Sequence, residues 1–572
     1  FFVAWNAFFR IQLTNTGFLF NKRFLPLAQP RAIISFIAMR GKRILRNMFG
    51  MDWRSLALLR IGLAAIILID LSLCIPHLSA FYSDDGVLPR TTLLAYGDPP
   101  DCIYLAGGSA WLAGGLLAVE TVFALMMLVG YRTQLATVGC WYMLLARQAR
   151  NPLVLFGPDM MMMIMFFWAM FLPLGRRFSL DAALGRVRRP EEPVYTGVPT
   201  FVYLAQFIII YFMSSVLKTG AAWRVDDTAV YYALSLDMYS KPLGQWLNQY
   251  DWLTRALTVA VVDVEFYGPF LFVVPFWSRW WRLLGFALFV AMQVGFGLCM
   301  SLGLFGSVMI IIMFPFLPDE FWKYFAEPLG RRLAALAKKF RIVRAMRERL
   351  QGAWRRWQLR EQLAAAQPGF WERWGRKLAW PRRILRDGLL LFLLGFVVVW
   401  NIDGTGDKPP ALMWPLKGLS VLWKINGAPP NHKPLTPDWL DWIAPVTGLD
   451  QQFGMFTPDP QMVDGWFVLY GTLADGDTVD LMTGGPADFT KPVSVVDTYG
   501  DQRWGSLLID LWHDEYSAYL PAFAYYMGSQ WNKTHAGDLH LKTLEIIFMD
   551  ESVLPNHTRQ AVNPETLYTQ QF

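Results

Sequence analysis

The chain has 572 residues, of which 54% are hydrophobic, 16% aromatic and only 17% charged, and its mean hydropathy is +0.29. Soluble domains carry about 25% charged residues, so this composition excludes disorder, a coiled coil and a purely water-soluble enzyme. It points to a membrane protein with one water-soluble appendage.

The net charge of +7 is not a nucleic-acid signature, because the charge is segregated along the chain. Residues 331–383 hold 16 Lys/Arg against 3 Asp/Glu, and residues 402–572 hold 9 against 21. A basic block beside apolar spans and an acidic block elsewhere is the pattern of membrane orientation. No cleavable signal peptide is expected from the residues present.

A helix needs roughly 20 apolar residues to cross a bilayer core. Scanning at that length gives nine candidate spans: 56–78, 108–130, 134–149, 157–174, 201–217, 255–276, 282–299, 302–318 and 386–401. The run 282–318 is too long for one span and is divided near Ser301–Gly303. The expected fold is a polytopic α-helical membrane bundle of about nine spans with a C-terminal α+β extracytoplasmic domain. Its parts are a basic cytoplasmic N-terminal segment (1–50), a bundle (51–320), a basic cytoplasmic helical linker (321–385), a last transmembrane helix (386–401) and the acidic domain (402–572).

Orientation follows from the loops. Residues 1–50 carry eight Lys/Arg and no acid, which places the N-terminus in the cytoplasm. Loop 79–107 is acidic and outside, loop 175–200 is Arg-rich and inside, and the tail emerges outside. This predicts an integral membrane protein with its N-terminus cytoplasmic and its C-terminal domain on the outer side. Arg147 and Arg150 alone fall on the wrong side, and are expected to snorkel to water from a span end. The linker, near anionic lipid, reads as a surface helix and carries no nucleic-acid module.

In the tail, GWFVLYGTLADGDTVDLMT (465–483) predicts two strands turning at Asp475-Gly476. RWGSLLIDLWHDEYSAYLPAFAYYMGSQW (503–531) predicts helix, and LKTLEIIFMD (541–550) predicts a strand. Trp414, Trp423, Trp439, Trp442, Trp466, Trp504, Trp512 and Trp531 are expected to form an aromatic surface. The four cysteines and six histidines show no metal spacing. Cys74 and Cys102 could meet on the outer side; the alternative is that they are free apolar thiols. The Met160–Met163 run reads as packing or lipid contact, because its thioethers ring the helix and do not converge.

Ionisable residues within spans are expensive and face the protein interior. They are Arg60, Asp70, Glu120, Lys218, Asp263 and Glu265. Lys218 ends the fifth span. An amine partly withdrawn from water loses its proton more readily, and so becomes a candidate base. Glu265 and Asp263 are its two candidate partners.

The ordered motifs YSDDGVLPR (82–90), GYRT (130–133), RNPLVLFGPD (150–159), FLPLGRRFSLD (171–181), LKTGAAW (217–223), VEFYGP (264–269) and FLP (316–318) resemble the HTTM family. That family shares the membrane domain of vitamin K-dependent γ-carboxylase. The tail motifs MFTPDP (455–460), DGWFVLYGTLADG (464–476) and QWNK (530–533) resemble the outer domain of bacterial HTTM proteins, which implies a bacterial inner membrane with the C-terminus periplasmic. The resemblance covers about residues 50–320 and 440–550.

It implies a chemistry in which Lys218 acts as base on a reduced quinone of the vitamin K or menaquinone type. Glu265 or Asp263 would orient it, and Gln293 and Asn151 would line the cofactor pocket. In the carboxylase, oxygen attack on the reduced ring then yields a strong base that removes a glutamyl γ-proton, and CO2 adds. Two positions depart from the carboxylase. Pro152 follows Asn151 where it has a histidine, and Gln293 replaces a second. Glutamine bonds a quinone oxygen but does not shuttle protons at neutral pH, so the resemblance stops short of γ-carboxylation of a protein.

The sequence therefore carries two main functional readings, with a transporter as a third that lacks the inverted repeats usual in such folds. One is a membrane enzyme using a quinol-type, lipid-soluble substrate. The other is a non-catalytic accessory or scaffold subunit whose extracytoplasmic domain docks a protein partner. Both keep membrane lipids as surroundings and require neither a metal nor a nucleic acid.

Overall fold

A computed structural model describes residues 30–97, 99–187, 190–337, 379–403, 436–450 and 456–572. Most of the expected N-terminal segment, the centre of the basic linker, and Trp414 and Trp423 lie outside the described residues.

The helices that build the bundle are α1 (Pro30–Phe49), α2 (Trp53–Cys74), α3 (Ala110–Val129), α4 (Thr133–Arg150), α5 (Gly157–Ala169), α6 (Val198–Leu217), α7 (Asp251–Tyr267), α8 (Ser278–Cys299), α9 (Phe305–Ile312) and α10 (Ala379–Asp403). Among the described residues, six helical stretches are long and apolar enough to cross a membrane. They begin at Trp53, Ala110, Val198, Asp251, Ser278 and Trp380. A seventh is reached only if the bent pair Phe305–Phe316 and Asp319–Arg332, which meet at 102°, counts as one span.

The helical membrane bundle is thus observed, whereas nine spans are not confirmed among the described residues. The three segments that fall out form helices, but of a different kind. α4 ends in a polar turn holding Arg147, Gln148 and Arg150, all buried. α5 has only 13 residues and is buried from Met161 to Ala169. α9 has eight residues and is followed by a 3-10 turn over Phe314–Phe316. α5, covered by other helices, needs neither the length nor the lipid-facing stripe of a spanning one; α4 keeps an exposed apolar stripe of Leu135, Val138 and Tyr142. The Met161–Met165 run is accordingly core packing and not lipid contact. The chain does turn at the expected break, with Gly303 at φ +52°.

Exposed tryptophans gather at the two ends of the spans. Trp277, Trp280 and Trp380 mark one end, and Trp111, Trp246 and Trp252 the other. Indoles favour the two membrane–water boundaries, so these positions fit a bundle whose apolar length lies between them.

The C-terminal domain sits at the Trp111 end. Its sheet has strands β1 (Val463–Leu473), β2 (Thr478–Asp480), β3 (Leu541–Leu554), β4 (Thr558–Arg559) and β5 (Asn563–Gln571). All pairings are antiparallel; β1 lies between β2 and β3, and β3 also pairs with β4 and β5. The β1–β2 turn falls at the expected Asp475-Gly476, with Gly476 at φ +96°. The expected single helix is instead α11 (Gln502–Trp512) and α12 (Leu520–Thr534), joined by a 3-10 turn.

The aromatic surface expected of this domain is only partly exposed: Trp466 is buried, and Trp504, Trp512 and Trp531 are half-buried. Trp466 is 2% exposed, Trp512 packs on Phe548 with ring centroids 4.6 Å apart, and Trp504 packs on Phe81 of the bundle at 4.8 Å. Among the described tryptophans of that set, only Trp439 and Trp442 are exposed. All four cysteines are free: Cys74 faces Tyr82 and Arg147, whereas the Cys102 thiol donates to the Ala146 carbonyl.

Candidate functional site: a buried lysine–glutamate pair under the C-terminal domain

Positions 211, 214 and 218 stand on one face of α6, one turn apart. Lys218 caps that helix and is 4% exposed. Its ammonium donates to a Glu265 carboxylate oxygen from α7 and to the Ser214 hydroxyl at 2.9 Å. Ser214 in turn donates to the same Glu265 oxygen at 3.2 Å. The Trp223 ring lies 5.0 Å from the Lys218 nitrogen. One turn deeper, the Tyr211 hydroxyl accepts from the Gln293 amide at 3.1 Å and lies within electrostatic reach of Glu265. The other end of that amide, Gln293 Oε1, is buried with no hydrogen-bond partner.

The structure therefore joins Lys218 to Glu265 and brings Gln293 alongside through Tyr211. It does not bring in Asp263 or Asn151. Asp263 is exposed, because a two-residue step turns about 200° around a helix and points away from the Glu265 side. Asn151 donates to the Phe81 carbonyl at 2.9 Å and accepts from the Leu153 amide at 3.2 Å; it fixes a turn elsewhere in the bundle. Tyr211, Ser214 and Trp223 were not singled out from the sequence. The spacing of polar residues along one face of an otherwise apolar helix is the signal that finds the first two.

A second buried network ties the C-terminal domain to the bundle. Arg147 donates to Asp70 at 2.5 Å and to Glu120 at 3.2 Å. Arg503, from α11, enters from above to donate to Asp70, and to Asp159 at 3.3 Å. Arg150 is also fully buried, donating to the carbonyls of Leu88 and Ser83 at 2.8 and 3.0 Å. The expected snorkelling of Arg147 and Arg150 is corrected: both are drawn inward because carboxylates and carbonyls wait there. The surrounding carboxylates hold the Arg503 guanidinium well above its ordinary pKa despite its burial. A third cluster lies at the domain edge. Asp237, Asp464 and Glu551 converge, but Lys491 and Arg559 each bridge all three, which makes the cluster an ion-pair latch.

The motifs that stand apart in sequence meet in pairs. Asp181 of FLPLGRRFSLD accepts from the Arg132 and Thr133 amides of GYRT at 2.9 and 2.8 Å. Asp84 of YSDDGVLPR faces Arg150 of RNPLVLFGPD at 3.4 Å. In LKTGAAW, the Gly220 amide donates to the Pro458 carbonyl at 3.0 Å, and the Ala222 amide to Asp459 at 3.0 Å. No protein-family model, curated protein or solved structure matches this chain.

Proposed function

We propose that this chain is an HTTM-type protein of a bacterial inner membrane, with its basic end cytoplasmic and its C-terminal domain periplasmic. On this reading its Lys218–Glu265 pair moves a proton to or from a lipid-soluble, quinol-type substrate. The observation that supports it is the direct hydrogen bond between these two groups, buried where two apolar helices end. The pair is shielded from water, with Ser214 bonded to both groups. On this reading Lys218 is the group that exchanges a proton with the substrate, and Glu265 orients it.

Gln293 and Tyr211 suit the recognition part. The Gln293 Oε1 is an acceptor without a donor, and a hydroxyl on a reduced ring supplies one. The Trp223 indole beside the lysine is the group such a substrate must displace. Lys218 and Glu265 line none of the three cavities described in this protein, so access requires that movement. When bound, a reduced quinone would supply the reducing power; the residues present supply binding and proton transfer. The competing accessory-subunit reading needs an aromatic docking face, and among the described tryptophans of that set only Trp439 and Trp442 are exposed.

The test is direct. Purified protein is mixed with reduced menaquinone or vitamin K hydroquinone and oxygen, and the epoxide is measured. Epoxide formation that disappears in Lys218→Met and Glu265→Gln supports the proposal. No epoxide from the wild-type chain, with Lys218→Met unchanged in every assay, overturns it.

A further inference from the structure

Residues 456–459, just before β1, lie across the turn 218–224 that follows α6, and three hydrogen bonds join the two. The Gly220 amide donates to the Pro458 carbonyl at 3.0 Å. The Ala222 amide donates to the Asp459 carboxylate at 3.0 Å, and the Trp223 indole N–H to the Phe456 carbonyl at 2.7 Å. That indole is the one whose ring lies 5.0 Å from the Lys218 nitrogen. The turn is also folded back onto its own helix, because Arg224 donates to the Lys218 carbonyl at 2.7 Å and to the Ser215 carbonyl at 2.6 Å.

Packing repeats the arrangement. Trp223 is 5% exposed. It belongs to a small apolar cluster with Tyr231, Val262 of α7 and Val553 of β3, and Phe456 packs against that cluster. The indole is thus fixed by the C-terminal domain on one side and covers the amine on the other. The two segments approach most closely at Gly220, where a Cβ would come 2.0 Å from the Asp459 carboxylate carbon. Gly220 has φ −70°, which any residue adopts. What this position requires is an empty space beneath Asp459, not the backbone freedom of glycine.

We propose that residues 456–459 are a strap by which the C-terminal domain keeps the Trp223 lid closed over Lys218, so that movement of this segment controls access to the amine. The inference rests on Lys218 being the working group of the proposed proton transfer. One such hydrogen bond contributes modestly in net terms. Three on one short turn act together, so losing any of them raises the fraction of time the turn spends open.

The test follows acetylation of each lysine by acetic anhydride, at one pH, in the purified full chain in detergent, by peptide mass spectrometry. Lys218 is expected to react slowly, and the exposed Lys533 quickly. Gly220→Ala, which wedges Asp459 off the turn, and Asp459→Ala, which removes the acceptor, should each speed Lys218 labelling about three- to tenfold, the effect of losing one such bond. Trp223→Phe, which keeps a ring but loses the N–H, should do so by a similar factor. Lys491, in the ion-pair latch of the same domain, should keep its wild-type rate throughout, which separates release of the strap from a general loosening. The proposal is overturned if Lys218 labelling is unchanged in Gly220→Ala and Asp459→Ala, or if Lys491 labelling rises in step with it. This readout needs no quinone. A missing epoxide overturns the proton-transfer reading and leaves the strap standing, whereas unchanged labelling removes the strap and leaves that reading.

Discussion

Arg503 of the C-terminal domain and Asp70 of the bundle form a direct ion pair in the buried space beneath α11. Asp70 comes from the first apolar helix, so the pair fastens the two parts of the molecule at their centre. Arg503 also donates to the Val154 carbonyl at 3.1 Å. Removing it leaves Asp70 with only Arg147, and Asp159 with no guanidinium, in a site closed to water.

Arg503→Met is therefore expected to destabilise the assembly by about 3–5 kcal/mol, the usual loss when one member of a buried charge pair is removed. Limited proteolysis should release the C-terminal domain far faster than in the wild type. Asp70→Asn in the same chain should recover part of the loss, because the orphaned charge is gone. Equal proteolysis rates in Arg503→Met and wild type contradict the central placement of this pair.

The Lys218–Glu265 pair gives a thermodynamic cycle independent of any substrate. Lys218→Met and Glu265→Gln each leave one buried polar partner alone, and each should cost about 3 kcal/mol or more. The double variant should be clearly more stable than the sum of the two losses, by a coupling of about 1–3 kcal/mol. Thermal unfolding of the four proteins in one detergent measures it. Additive losses mean that the two groups do not share a hydrogen bond.

Asp510 gives the C-terminal domain a pH dependence. Burial, with Glu515 nearby, raises its carboxyl to about 7. The folded pKa lies above the unfolded value of about 3.9, so the folded domain holds the extra proton between them. Its contribution to stability is complete below pH of about 4 and is lost as pH rises to about 7, a change of a few kcal/mol at most. The thermal midpoint of wild type should fall across that window. Asp510→Asn should flatten the fall and be the more stable protein at pH 8. A steeper decline in Asp510→Asn contradicts this assignment.

Asp181 joins two of the family-like motifs and caps the start of α4, accepting also from the Thr133 hydroxyl at 2.7 Å. Asp181→Ala strands these donors and should cost about 1–2 kcal/mol, the range for losing a helix cap. Asp181→Asn keeps one acceptor oxygen and should cost less. Chemical denaturation with an unchanged slope and a shifted midpoint is the expected reading.

How far these relationships are visible in the chain alone depends on distance and burial. The β1–β2 hairpin is legible because Asp475-Gly476 supplies local turn chemistry. The Lys218–Glu265 pair is half legible: both stand out as charges in apolar helices, but Asp263 competes until helix phase is known. α5 is legible as apolar and misread as spanning, since hydropathy does not separate a helix surrounded by lipid from one surrounded by protein. Trp466 reads as surface in a list of tryptophans, although both faces of β1 are covered. Arg503 gives no local sign at all. Its role rests on acids contributed by two distant helices, and no spacing rule reaches them.

That separation has a consequence for how the polypeptide is made. Arg503 follows Asp70 by 433 positions, so the ribosome has produced every hydrophobic stretch long before it delivers the cation Asp70 shares. During that interval the nascent helices carry an acid that is only partly neutralised, a ready mark for quality-control proteases. Truncated products ending before residue 503 should accordingly be short-lived in cells, whereas the finished polypeptide persists.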